Sequence, residues 1–180
     1  ANIIEPVTLA ATVTTGNIAC AGTSTGTITV SAATGGSGTF EYSKDNGATW
    51  QASGSFTNLP AATYQVVIRD AGNKTCAKVL GSYTISQAAA ITATVSVVNV
   101  TGCFGSLNGS LNITNPQGGS GGYEYSKDNT TWVTSGSFTN LAAGSYTLYI
   151  RDVANKTCSV KLGDYTVTQP ANISINSVVP

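Results

Sequence analysis

The chain is 180 residues long, has no net charge, and only 9% of its residues are charged. No basic patch in it would neutralise a phosphate backbone, so no nucleic-acid partner is expected. No apolar run approaches the roughly 20 residues of a membrane-spanning helix, and histidine, the commonest general base and metal ligand, is missing altogether. The elements read as short alternating strands in chain order. In the first half the inward positions are Ile28/Val30, Phe40/Tyr42, Tyr64/Val66/Ile68 and Tyr83/Ile85. In the second half, strands are predicted over residues 91–100, 109–114, 122–127, 131–134, 137–141, 145–152 and 164–169. Leu111/Ile113, Tyr123/Tyr125 and Tyr146/Leu148/Ile150 point inward there, while Thr147, Tyr149 and Arg151 point outward.

The two halves repeat each other. Gly38-Thr39-Phe40-Glu41-Tyr42-Ser43-Lys44-Asp45-Asn46 returns as Gly121-Gly122-Tyr123-Glu124-Tyr125-Ser126-Lys127-Asp128-Asn129. From Thr49 to Gln87, 23 of 39 residues are identical to those 82 positions later. Self-similarity at a fixed period signifies an array of like modules. Repeat 1 is assigned to residues 6–87 and repeat 2 to 88–169. Residues 1–5 read as the end of a preceding copy and 170–180 as the start of a following one. The offset rises from 82 to 83 between the first strand and Cys103, placing an inserted residue after Val95. It returns to 82 by Trp132, placing a deletion near Thr130. Six or seven short strands in each copy predict an all-β chain of two tandem immunoglobulin/fibronectin-like β-sandwich repeats, arranged end to end. Leu59-Pro60-Ala61-Ala62-Thr63-Tyr64 and Leu141-Ala142-Ala143-Gly144-Ser145-Tyr146 have the form of a tyrosine corner.

The cysteines fall two per repeat, Cys20 and Cys76, then Cys103 and Cys158. No CxxC spacing suggests zinc, and an even count in a small β module suggests disulfides and an oxidising compartment. Within-repeat bridges, Cys20–Cys76 and Cys103–Cys158, are the first expectation, each stabilising by roughly 4 kcal/mol in the chain-entropy picture. A Cys76–Cys103 staple and four free thiols are the alternatives.

The ordered set of motifs resembles the SprB-type repeat of large secreted gliding-motility adhesins and related proteins exported by the type IX system. It runs Cys20, Gly26-Thr27-Ile28-Thr29-Val30, Gly35-Gly36, Tyr42-Ser43, Asn58-Leu59, Tyr64, Arg69-Asp70 and Cys76 in copy one. Copy two has Cys103, Gly109-Ser110-Leu111-Asn112-Ile113, Gly118-Gly119, Tyr125-Ser126, Asn140-Leu141, Gly144, Tyr146, Arg151-Asp152 and Cys158. The resemblance implies an extracellular, cell-surface location and a structural or adhesive role, and it brings no catalytic residue. The partners it implies are neighbouring repeats and, in an adhesive reading, surface polysaccharide. A carbohydrate-binding module and a passive spacer for a secreted enzyme are the competing readings.

Ser43-Lys44-Asp45-Asn46-Gly47-Ala48-Thr49-Trp50 also fits the Asp-box pattern of sialidase propellers, where the Asp braces a hairpin. Its expected role here is that of a braced turn. Trp50 and Trp132 are candidate sugar platforms, packing beneath the hairpin being the competing role. Arg69 and Arg151 are expected to pair across strands with Glu41 and Glu124. The Asp45/Asn46 and Asp70–Asn73 turns are the places where calcium is conceivable, although carboxylates are too sparse for an EF-hand-like loop. No cofactor, metal or catalytic group is expected.

Overall fold

A computed structural model describes residues 7–174; the end of a preceding copy assigned to 1–5, the first residue of repeat 1, and 175–180 of the following copy lie outside the described residues. The chain divides into two units, 1–87 and 88–180. Among the described residues there is no helix. The strands of unit 1 are β1 (Ala10–Gly16), β2 (Gly26–Thr34), β3 (Phe40–Ser43), β4 (Ser55–Leu59), β5 (Ala62–Asp70) and β6 (Ala77–Ile85). Those of unit 2 are β7 (Thr92–Val98), β8 (Gly109–Gln117), β9 (Tyr123–Ser126), β10 (Ser137–Leu141), β11 (Gly144–Asp152) and β12 (Ser159–Val167).

Each unit has two antiparallel three-stranded sheets. In unit 1 the orders are β1-β2-β4 and β3-β5-β6, and in unit 2 they are β7-β8-β10 and β9-β11-β12. Read as A, B, C, E, F and G, the six strands form the ABE and CFG sheets of an immunoglobulin-type sandwich. Alternation decides which face goes inside. Ile28 and Val30 on β2, Phe56 and Leu59 on β4, Tyr42 on β3, Val66 and Ile68 on β5, and Ile85 on β6 meet in one core. Leu111, Ile113, Tyr125, Leu141, Leu148, Ile150 and Val167 repeat it in unit 2. Ile28, Val66, Ile68, Leu111, Leu148 and Ile150 are fully buried; burying one such aliphatic side chain contributes about 1.5–3 kcal/mol. The tyrosine corners are present, with Tyr64 Oη donating to Pro60 O and Tyr146 Oη to Ala142 O, both at 2.9 Å.

Three boundaries differ from the sequence reading. The last strand of unit 2 begins at Ser159, not 164. Gly163 is not a breaker but the bulge of a continuous strand: β11 pairs Leu148 with Gly163 and then Tyr149 with Lys161. Its φ of 148° suits glycine. Residues 131–134 do not form a strand of their own; Val133 makes an isolated bridge to Tyr125. The inserted residue of copy two lies after Val100, not after Val95. Asn17 and Asn99 hold equivalent posts, accepting from Ser86 N and Thr168 N, so the offset is still 82 at that point. The insertion falls in the following turn, where an extra residue breaks no ladder.

Candidate functional site

The hairpin after β3 is built around one carboxylate. Asp45 Oδ1 accepts from Ser43 Oγ at 2.7 Å and Thr49 N at 2.8 Å, and its Oδ2 accepts from Thr49 Oγ1 at 2.5 Å. Ser43, fully buried, accepts in turn from the backbone N–H groups of Asp45 and Gly47. Asn46 and Gly47 take the left-handed conformations the turn requires, φ 58° and 88°. The shorter turn of copy two reaches the same end with backbone donors: Asp128 Oδ1 accepts from Thr130 N at 2.8 Å, Thr131 N at 2.7 Å and Ser126 Oγ at 2.9 Å. The Thr49 hydroxyl, above all, holds the Asp45 carboxyl down at about 2. The Thr131 and Thr130 N–H groups push Asp128 lower still. Such carboxylates stay ionised and fully engaged, which suits a brace and not a general acid or base.

The hairpin delivers Trp50 to the outer face of the β3-β5-β6 sheet. Gln51 pairs with Tyr42 through both backbone bonds, 2.8 and 3.0 Å. Trp50 Nε1 donates to Gly47 O at 2.8 Å. The Arg69 guanidinium lies over the indole, 4.0 Å from the ring centroid. Glu41 stands directly opposite Arg69 in the β3–β5 register, and the two are joined at 2.6 Å. Unit 2 repeats the stack: Arg151 over Trp132 at 4.0 Å and against Glu124 at 2.6 Å, with Lys156 adding a 3.5 Å contact. The Arg151 hydrogen bond depresses the Glu124 carboxyl, helped by the Lys156 charge. The Arg–Glu pairing follows the expected cross-strand register. The Trp–Arg stack was not foreseen; its sequence signal is that Trp, Arg-Asp and Glu recur together in both copies. It leaves one face of each indole occupied by a guanidinium.

A second carboxylate organises the opposite end of the sheet. Asp70, 3% exposed, accepts a short bond from Ser37 N, then Ser37 Oγ and Gly72 N at 2.7 Å and Asn73 N at 3.1 Å. The Ser37 hydroxyl and N–H are the main reasons its carboxyl falls to about 2. Asp152 does the same for Ser120, Ala154 and Asn155. This explains the Gly-Gly-Ser motif. A Cβ on Gly36 would lie 2.2 Å from Asp70 Oδ2, and one on Gly119 2.3 Å from Asp152 Oδ2. Both Asp70 oxygens receive N–H or O–H donors, an arrangement built for hydrogen bonding; the calcium considered for this turn finds no free carboxylate oxygen here.

The within-repeat pairing first expected does not form. Cys76 and Cys103 carry free thiols, whereas Cys20 and Cys158 are disulfide-bonded. The reason lies inside each unit. Cys20 belongs to the turn clamped on the chain's exit: Ile18 N donates to Ser86 O and Gly22 N to Gln87 Oε1. Cys76 sits just before β6, at the entry end, beside Thr8 and Leu9. The nine residues of β6 separate the two ends by about 25–30 Å. A disulfide needs Cα atoms about 4.4–6.8 Å apart. In unit 2, Cys103 lies on the turn held by Gln169 and Cys158 just before β12.

A groove of about 420 Å³ opens in unit 2 beside the hairpin, lined in part by Asp128, Thr131, Val133, Ser135, Ser137 and Phe138. At the position of Val133 unit 1 has Gln51, whose Nε2 donates to Ser53 O and Ser55 O. Valine cannot make those bonds.

The SprB-repeat family model matches the chain at residues 12–49 and 91–131, once in each unit. No curated protein matches the sequence. Among solved structures, the three N-terminal domains of the Highly Immunogenic Outer Capsid protein (Hoc) of bacteriophage RB49 align at 12% identity and TM-score 0.42 over 90% of this chain and 59% of that one. A C-terminal 282-residue fragment of intimin, in complex with the intimin-binding domain of the translocated intimin receptor, aligns at 16% and 0.38 over 93% and 64%. Extracellular domains 3–5 of Drosophila OTK align at 14% and 0.35 over 90% and 61%. The chain therefore spans about three fifths of the length of these structures.

Proposed function

Because the chain carries two SprB repeats, we propose that it is a stretch of a structural and adhesive array on a bacterial cell surface. In this reading the parent protein is a large secreted adhesin of the gliding-motility type, exported by the type IX route. Its repeats supply reach, and each copy adds a weak attachment to surface polysaccharide. The observation that carries the reading is the recurrence of one bracing scheme in both units. Asp45/Asp128 close a hairpin, Glu41/Glu124 hold an arginine, and Asp70/Asp152 tie two loops. Every recurring carboxylate has a structural partner, and none is left with a tuned, solvent-facing role. That supports a non-enzymatic module.

A carbohydrate-binding module is the second reading, favoured by the hydroxyl-lined groove with Phe138 in unit 2. In that reading Trp50 and Trp132 stack a sugar on the ring face opposite the arginine. A panel of bacterial and host polysaccharides, titrated against the chain with tryptophan emission as readout, separates the two. Weak, broad attachment that survives Trp50→Ala plus Trp132→Ala supports the array reading. Tight binding of one glycan, lost in that variant while the fold persists, supports the module. Hydrolysis of any glycan, lost in Asp45→Ala plus Asp128→Ala, would overturn both.

A further inference from the structure

The two copies of the braced hairpin differ at two points, and in unit 2 both points line the groove. The first is the residue after the tryptophan. In unit 1 Gln51 lays its amide along the edge, donating from Nε2 to Ser53 O at 2.6 Å and to Ser55 O at 2.9 Å. Phe56, on the neighbouring strand β4, is buried there. In unit 2 the same position is Val133, 38% exposed, and Phe138 is only partly buried. The second point is the brace. Thr49 Oγ1 donates to Asp45 in unit 1. The turn of copy two is one residue shorter, and Asp128 is met by the Thr130 and Thr131 N–H groups instead. The Thr131 hydroxyl is thereby left out of the brace. The resulting groove of about 420 Å³ falls within the ~300–1,000 Å³ range of small-molecule sites.

We propose that this groove is a glycan subsite that takes a neutral pyranose residue of a polysaccharide, and that the residue after the tryptophan sets it open (Val133) or closed (Gln51). The lining carries the chemistry of the ligand. Val133 and Phe138 offer an apolar surface to the C–H face of a sugar ring. The hydroxyls of Thr131, Ser135 and Thr139 line the same groove, and each can both donate to and accept from a sugar hydroxyl. The one cation of the lining, Lys127, and its one anion, Asp128, cancel. A neutral ligand therefore fits better than an acidic or phosphorylated one. Asp128 itself is committed to the brace. Unit 2 is thus the principal attachment point, and unit 1 contributes mainly length. The proposal rests on the polysaccharide-binding reading and moves the contact from the tryptophan rings to the groove. A single side chain per repeat then sets the spacing of strong attachment points along an array.

The test is a nitrogen-15 NMR titration of the full chain with short neutral gluco-, manno- and galacto-oligosaccharides, and with an oligogalacturonate as the acidic comparison. At least one neutral oligosaccharide is expected to shift the amides of residues 131–139, with smaller changes at 49–57. Val133→Gln should weaken that binding about tenfold, and Gln51→Val should bring matching shifts to 49–57. Each variant places at one copy the residue native to the other, and the unshifted amides of the spectrum report that the fold is kept. Binding of equal strength in both units, shifts confined to the Trp50 and Trp132 rings, or an affinity unmoved by Val133→Gln would overturn this proposal while leaving polysaccharide attachment standing. Tighter binding of the oligogalacturonate would overturn the neutral ligand. No shift with any of these sugars would overturn the subsite and polysaccharide attachment together.

Discussion

Two carboxylates per unit do the local organising, and their chemistry sets how the protein responds to acid. Asp45 and Asp70 are held at about 2, well below the ordinary 3.8. A carboxyl depressed in the folded state contributes stability that is complete above its unfolded value and is lost as pH falls through the folded one. The melting temperature should therefore stay level down to about pH 5 and drop between about pH 4 and pH 2. Asp45→Asn plus Asp70→Asn should melt lower at neutral pH but lose less on acidification; parallel curves for variant and parent would refute this assignment. Ala32 marks a different kind of cost. It adopts φ 50°, a left-handed conformation that L residues with a Cβ disfavour by roughly 1–2 kcal/mol. Copy two places Asn115 at the matching bulge, also at φ 50°. Ala32→Asn should stabilise unit 1 by about 0.5–1 kcal/mol in urea unfolding, and a destabilised variant would show the strain lies elsewhere.

The strands were legible because alternation is a local signal. Ile28/Val30, Tyr64/Val66/Ile68 and their counterparts in copy two point inward as their spacing requires. The tyrosine corner was legible for the same reason, a Tyr a fixed distance after a turn. Tyr64→Phe and Tyr146→Phe should each cost about 0.5–1.5 kcal/mol, the worth of one hydrogen bond, without changing the strand content seen by circular dichroism. A neutral result in both would mean the Oη bonds to Pro60 and Ala142 are not kept in solution. What the sequence hid was long-range: that Gly36 must be bare because Asp70 arrives from a strand 34 residues away, and that Arg69 faces Trp50 as well as Glu41. The last strand of copy two starts at 164 in the sequence reading because a bulge glycine such as Gly163 has the same composition signal as a turn. The cysteine pairing was misread for a topological reason. Equal spacing within each copy suggests an internal bridge, but only the strand path shows that Cys20 and Cys76 sit at opposite ends.

At the scale of the molecule, the features that recur are those that make a module sturdy and repeatable: a six-strand sandwich, two carboxylate hubs, a Trp–Arg–Glu stack, and a Gln clamp at the exit. None requires a cofactor, and each is spent inside its own unit. In the array reading proposed above, function lies in number, since weak sites linked in series gain avidity out of proportion to their single affinities. The most direct test is to display one, two and four repeats at equal density on beads and measure the shear that detaches them from a polysaccharide-coated surface. The detaching shear is expected to rise steeply with repeat number and to be unchanged by Asp45→Ala plus Asp128→Ala in folded protein. Detachment at the same shear for every repeat number would contradict it.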